Sequence, residues 1–112
     1  MSGIGNFGNL MRQAQKQAQK LQKQMEEAQR NLKERVVEGS AGGGMVTVQV
    51  NGHKELVAIK IDKEVVNPSE VDMLEDLILA AIHQAMKRAQ DIHDDEMRKA
   101  TGGLQVPGLL GM

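Results

Sequence analysis

Apolar residues recur at alternating intervals of four and three over the first third of the chain. A period of 3.5 keeps one edge of a helix against another helix along its whole length. Good helix formers, chiefly Gln, Lys, Ala, Met, Leu and Glu, dominate this segment. We therefore predict a helix over residues 9–35, preceded by a glycine-rich, flexible segment at 1–8. We call the apolar edge the seam, and it consists of Phe7, Met11, Ala14, Ala18, Leu21, Met25, Ala28 and Leu32.

The residues beside the seam do not identify its partner. They are mostly Gln and Asn, whereas the helices of coiled coils usually carry oppositely charged pairs that set partner choice there. The sequence leaves open whether the seam meets a second copy of the chain or another helix of the same fold.

The period changes to two between residues 36 and 62, which predicts strands. Ala41–Gly44 can supply one turn, and Asn51-Gly52 is the strongest two-residue hairpin signal. The pattern predicts a three-stranded antiparallel meander with one apolar face. Its apolar positions are Val36 and Val37, then Val46, Val48 and Val50, then Val57, Ile59 and Ile61.

A second helix is predicted over residues 69–100. Asn67-Pro68 interrupts the chain, and Ser69 with Asp72 fits a capping box. The first half of this helix is apolar over a wide arc, enough to cover the sheet, and Thr101-Gly102-Gly103 ends it. With a loose tail at 101–112, residues 1–112 form one α+β domain in the order α-β-β-β-α.

The composition predicts a thin core. The chain has 112 residues, with one Phe, no Tyr and no Trp, so aliphatic side chains and eight Met must do the packing. Small domains with little to bury often gain stability by association, and we expect a homodimer. The absence of Cys excludes disulfides, zinc–thiolate sites and a thiol nucleophile.

Charge is distributed unevenly along the chain. Residues 1–35 hold seven Lys and Arg against three Glu, whereas residues 36–112 hold seven against twelve Asp and Glu. A basic segment on an acidic body suggests a polyanionic partner, although a solubilising helix face is the plainer interpretation. At about 100° per residue, five cations fall within an arc of roughly 80° on the side of the first helix away from the seam. We call this set the stripe: Arg12, Lys16, Lys20, Lys23 and Arg30.

The stripe favours contact with a nucleic-acid backbone. Aromatic side chains for stacking on single-stranded bases are lacking, and no short recognition helix follows a tight turn. Binding of duplex DNA should therefore be strongly salt-dependent and weakly sequence-specific. The second helix offers a second basic patch, made of Lys87, Arg88, Arg98 and Lys99.

Motifs for catalysis, cofactors or metals are not supported. Gly3–Gly8 matches G-x-G-x-x-G, but no strand precedes it to form a βαβ unit. Gly42–Gly44 has no following Lys-Ser/Thr and is read as a turn. None of the three His lies three or four residues from another, and no Ser pairs with a His and an acid. We expect no enzyme, cofactor, metal or small-molecule substrate, and no apolar run marks a signal or membrane segment. The chain is thus expected to be cytoplasmic.

The whole pattern resembles the YbaB/EbfC family of small bacterial nucleoid-associated proteins. The resemblance rests on Gly8-Asn9-Leu10-Met11-Arg12-Gln13-Ala14-Gln15 and the heptads after it, on the glycine-rich hairpin region with Ile59-Lys60-Ile61-Asp62, on Met73-Leu74-Glu75-Asp76-Leu77 with Ala80-Ala81, and on the Gly-Leu-Gln-Val-Pro-Gly segment at 103–108. It implies a tweezer-shaped homodimer that binds double-stranded DNA in the nucleoid, with helices as the arms. It transfers no catalytic residue. The alternative is a protein-binding adaptor that uses the seam.

Overall fold

A computed structural model describes the backbone of residues 2–102 and the side chains of residues 6–102. Its order confirms the predicted α-β-β-β-α arrangement, with the three strands in one antiparallel sheet in the order β1-β2-β3. Most of the predicted tail, residues 103–112, lies outside the described residues. The elements are α1 (Ser2–Glu34), β1 (Val36–Ala41), β2 (Val46–Asn51), β3 (Leu56–Ile61) and α2 (Val71–Ala100).

Helix α1 begins at Ser2 rather than near Asn9, where the sequence predicted its start. A glycine inside a helix costs only about 1 kcal/mol relative to alanine. Extending an existing helix adds a hydrogen bond for each residue that is fixed. The glycines of the first turns therefore do not stop the helix.

The core lies between the sheet and α2. Val46, Val48 and Val50 are fully buried, as their alternation predicted. Ala81, Ala85 and Ala89 of α2 are also fully buried, so small side chains line the helix where it meets the sheet. Close packing of this kind suits a chain with almost no aromatic residues.

Gly39 allows this close approach. A Cβ atom at Gly39 would overlap the carbonyl oxygen of Ala81 and would lie 2.5 Å from the backbone nitrogen of Ala85.

Two side chains of α2 also form hydrogen bonds with backbone groups on the outer edge of β1. Gln84 Oε1 accepts a hydrogen bond from the Ser40 N–H at 2.8 Å, and Arg88 Nη1 donates to the Glu38 carbonyl at 2.7 Å.

The sequence predicted that the second helix covers the sheet, but this helix leaves strand β3 uncovered. Helix α2 packs on β1 and β2, because a helix about 10 Å wide spans only two strands spaced about 4.8 Å apart. Ile61 pairs with Val46 and Ile59 with Val48, so these side chains share the core face. Val57, Ile59 and Ile61 nevertheless remain 55%, 44% and 36% exposed.

The Asn51-Gly52 hairpin differs from the predicted two-residue turn. The Lys54 N–H donates to the Asn51 carbonyl at 2.9 Å, the Asn51 N–H donates to the Glu55 carbonyl at 3.0 Å, and Lys54 has a φ of 65°. This is a three-residue loop with a left-handed last residue. Gly52 serves packing instead, because a Cβ there would lie 2.7 Å from the Leu32 carbonyl oxygen.

The start of α2 also differs from the prediction. Pro68–Glu70 forms a 3₁₀ turn before the helix, and Asn67 caps that turn by accepting hydrogen bonds from the Ser69 N–H and hydroxyl at 3.0 and 2.8 Å. Ser69 is therefore not the cap of the predicted capping box. Glu70, at the N-cap position of α2, makes no side-chain capping hydrogen bond.

Helix α1 runs well beyond the rest of the fold. Only the end of the seam, Ala28 and Leu32, is buried. The molecule is 84 Å long, close to the end-to-end length of two helices of about 50 and 45 Å. The two helices thus overlap only near their C-terminal ends and run antiparallel there. Apart from Gly8, every residue from Asn6 to Lys23 is exposed, and we call this segment the arm.

Candidate nucleic-acid interface

The stripe follows the solvent-facing side of α1. All five of its residues are exposed, and within residues 6–102 none of them forms an ion pair. Successive cations lie three or four residues apart along the arm, which corresponds to a rise of about 5–6 Å. Their charges therefore face water rather than carboxylates of the same chain.

The stripe has no acidic neighbours only over the first part of the arm. Arg12, Lys16 and Lys20 have none within four residues, whereas Glu26 and Glu27 lie three and four residues after Lys23. Glu27 lies three residues before Arg30 and Glu34 lies four residues after it, so both are on the same helix face as Arg30. Carboxylates at these spacings reduce the local positive potential, so the arm carries most of the attraction for anions.

The second basic patch is not one uniform surface. Lys87 and Arg98 are exposed, but they share their side of α2 with Asp91 and Asp94.

The other two residues of the second basic patch, Arg88 and Lys99, have partners within the chain. Arg88 holds the Glu38 carbonyl at the edge of the sheet. Lys99 Nζ lies 3.2 Å from Asp95 Oδ2. These four residues are therefore weaker candidates for phosphate contact than the cations of the arm.

The base of the arm is fixed by an ionic cluster that the sequence did not reveal. Arg35 Nη1 lies 2.9 Å from Glu96 Oε1 and 3.4 Å from Asp95 Oδ2. The hydrogen bond and charge of Lys99, followed by those of Arg35, hold the pKa of Asp95 below its ordinary value. No spacing rule relates residues sixty positions apart, so only the folded chain shows this cluster.

The β2–β3 hairpin supports the same end of α1. The Gly52 N–H lies 2.8 Å from the Leu32 carbonyl and 3.0 Å from that of Arg35. His53 Nε2 donates to the Gln29 carbonyl at 2.9 Å. These contacts attach the last turns of α1 to the sheet and so fix the direction in which the arm projects.

The described residues show a surface rather than an enclosed site. Two shallow concavities on α1, one beside Lys16, Lys20 and Lys23 and one around Arg30, are both open to solvent. Within residues 6–102, no group of three His, Asp or Glu side chains comes together as metal ligands. In the same part of the chain, no helix is long and apolar enough to cross a bilayer.

Comparison with known proteins identifies the family. The model of the YbaB/EbfC DNA-binding family matches residues 5–104, which include the arm, the sheet and α2. The chain belongs to this family. A nucleoid-associated protein of Alkaliphilus metalliredigens is 50% identical over 109 residues, which cover 97% of this chain and 92% of that relative. One from Clostridium kluyveri is 53% identical over 107 residues, which cover 96% and 90%.

A solved structure supports the fold. The crystal structure of an uncharacterized protein from Helicobacter pylori matches with a TM-score of 0.59 at 23% identity, and the match covers 74% of this chain and 93% of that one. At this identity the likeness concerns the fold alone. The resemblance to a nucleoid-associated, DNA-binding family that the sequence suggested is confirmed by the family match and by the relatives.

Proposed function

We propose that this family member binds double-stranded DNA in the bacterial cytoplasm as a homodimer, mainly through phosphate contacts and with little sequence specificity. The observation that carries the proposal is the stripe on the arm, whose cations are exposed and form no ion pair within residues 6–102. The function requires no catalytic residue, cofactor or small-molecule substrate.

The form of the stripe favours phosphates over bases. Arg12, Lys16, Lys20 and Lys23 extend along about 17 Å of helix, and DNA presents a phosphate on each strand about every 3.4 Å of its axis. Three of the four are Lys, whose ammonium group contacts phosphate as a point charge. Contacts of this kind position a protein on DNA but do not read its sequence.

The uncovered side of β3 supports the homodimer. Leu56, Val57, Ile59 and Ile61 are 36–55% exposed and belong to a single strand at the edge of the sheet. Contiguous apolar patches of this kind mark interaction surfaces on proteins of this size. A second copy that packs its own β3 patch there would complete the core and would place two arms on one assembly.

The DNA-binding proposal is tested by charge reversal. Lys16→Glu with Lys20→Glu should abolish retardation of a duplex at moderate salt, because two phosphate contacts become repulsions. Lys60→Glu with Lys63→Glu, which changes the charge equally at exposed sites off the arm, should retain most of the retardation. Equal loss in both variants would show that only net charge matters.

Salt titration tests the number of phosphate contacts. With about four to eight contacts, the slope of log affinity against log salt concentration should lie at roughly −4 to −7. A slope near zero would rule out phosphate binding.

The homodimer is tested separately by sedimentation. Ile59→Glu should dissociate the dimer, while Lys60→Glu, on the opposite face of β3, should not. A wild-type chain that sediments as a monomer would contradict the homodimer.

A further inference from the structure

Within residues 6–102, nothing covers the seam along the arm. Phe7, Leu10, Met11 and Leu21 are 64%, 62%, 48% and 49% exposed, and Leu10 widens the seam by one position. With Ala14 and Ala18 between Met11 and Leu21, the seam residues recur three or four positions apart and so lie on one side of the helix. A continuous apolar edge of this length is seldom left open to water on a soluble protein.

The chain leaves α2 where the exposed part of the seam begins. Arg35 contacts Asp95 and Glu96, and α1 and α2 run antiparallel at their short overlap, so the last turn of α2 lies beside the turns of α1 that precede Arg35. Ala28 on α1 and Ala100 on α2 are both buried. Gly102, with a φ of 65°, turns the chain off the axis of α2.

The segment that follows matches the open seam in chemistry and in reach. Residues 103–112 contain no charged side chain and include Leu104, Val106, Leu109, Leu110 and Met112. Fully extended, ten residues span about 33 Å, and the seam from Met25 back to Phe7 is about 27 Å long. The segment can therefore cover the open seam from the position where α2 ends.

Charge favours this occupant over a second arm. The arm carries Arg12, Lys16, Lys20 and Lys23 with no acidic residue. These cations face away from the seam, but a second arm packed there would still double the positive charge along this stretch with no carboxylate to offset it. An uncharged segment meets no such repulsion. We propose that residues 104–112 dock on the seam of the same chain, which leaves the stripe as the open face of the arm. This inference does not depend on DNA binding.

Engineered disulfides can test the proposal, because the chain has no native Cys. Met11→Cys lies on the seam, and Asn9→Cys lies at the same level of α1 but about 160° away around the helix. Each is combined with Leu110→Cys in the full chain. We expect an intrachain disulfide to form with Met11→Cys faster by on the order of tenfold, which corresponds to a docking free energy of about 1.4 kcal/mol. Mixing isotope-labelled and unlabelled protein identifies links between chains by mass spectrometry.

Alkylation of a single Cys gives an independent readout. Met11→Cys should react more slowly than Asn9→Cys, and Leu109→Asn with Leu110→Asn should remove the difference. Equal rates at both positions, or disulfides mainly between chains, would overturn the proposal. Rapid pairing of Met11→Cys with itself would assign the seam to a second copy. Duplex retardation, measured on the same variants, reports on the stripe separately.

Discussion

Arg35 Nη1 lies 2.9 Å from Glu96 Oε1 and joins the end of α1 to the last third of α2. The Glu96 side chain is only 8% exposed, whereas that of Arg35 is 42% exposed. A buried carboxylate requires a partner, because the charge has lost most of its hydration. This pair therefore secures the base of the arm, and with it the position of the stripe.

Removing Arg35 should destabilise the protein by leaving Glu96 without its partner. Because the pair is only partly buried, we expect Arg35→Ala to cost about 2 kcal/mol, between the values for exposed and buried pairs. Denaturant unfolding measures the cost. Glu96→Gln in the same chain should recover part of it, since a neutral amide is cheaper to bury. If the changes in unfolding free energy of the two single variants simply add in the double variant, the two side chains do not stabilise each other.

The lowered pKa of Asp95 predicts a contribution to stability that is lost in acid. Lys99 and Arg35 stabilise the charged form in the folded state, so the folded pKa lies below the ordinary value of 3.8. The contribution is present above pH 3.8 and disappears as the pH falls through the folded pKa. The difference in unfolding free energy between wild type and Asp95→Asn should therefore shrink in that range. An unchanged difference for Asp95→Asn across that range would contradict the prediction.

Gly39 and Gly43 should respond differently to alanine. At Gly39 the new methyl group would overlap the backbone of α2, and separating the helix from the sheet should cost about 3 kcal/mol. At Gly43 nothing lies within 4 Å of the added Cβ, but the φ is 67°, so only the left-handed strain of about 1 kcal/mol applies. Thermal or denaturant unfolding of the two variants compares these costs. A smaller loss at Gly39 than at Gly43 would disprove the close approach.

Substitutions at Arg12 and Arg88 test which of the two predicted basic regions contacts DNA. Arg12→Met should reduce the steepness of the salt dependence of duplex binding by about one unit, the effect of losing one phosphate contact. Arg88→Met should leave that dependence unchanged and lower stability by about 1–2 kcal/mol, because the Glu38 carbonyl loses its donor. A reduced salt dependence in the Arg88 variant would assign it to the interface.

The order of the elements could be predicted from the sequence because periodicity reflects local geometry. The change from a period of 3.5 to one of two marked where α1 ends and the sheet begins, and the alternation of Val46, Val48 and Val50 identified the core face of β2. The stripe followed from the same reasoning, since residues three or four apart share a helix face. Each of these inferences needs only neighbouring residues.

Only the tertiary structure decided which faces are covered and which cations are free. Within residues 6–102, the width of α2 leaves β3 open, and the limited overlap of the helices leaves the seam of the arm open. Gly52 fits Leu32 rather than a two-residue turn, Arg88 and Lys99 have partners within the chain, and Arg35 meets Glu96. These outcomes depend on segments far apart in sequence, and a pattern along the chain carries no information about the distances between them in space.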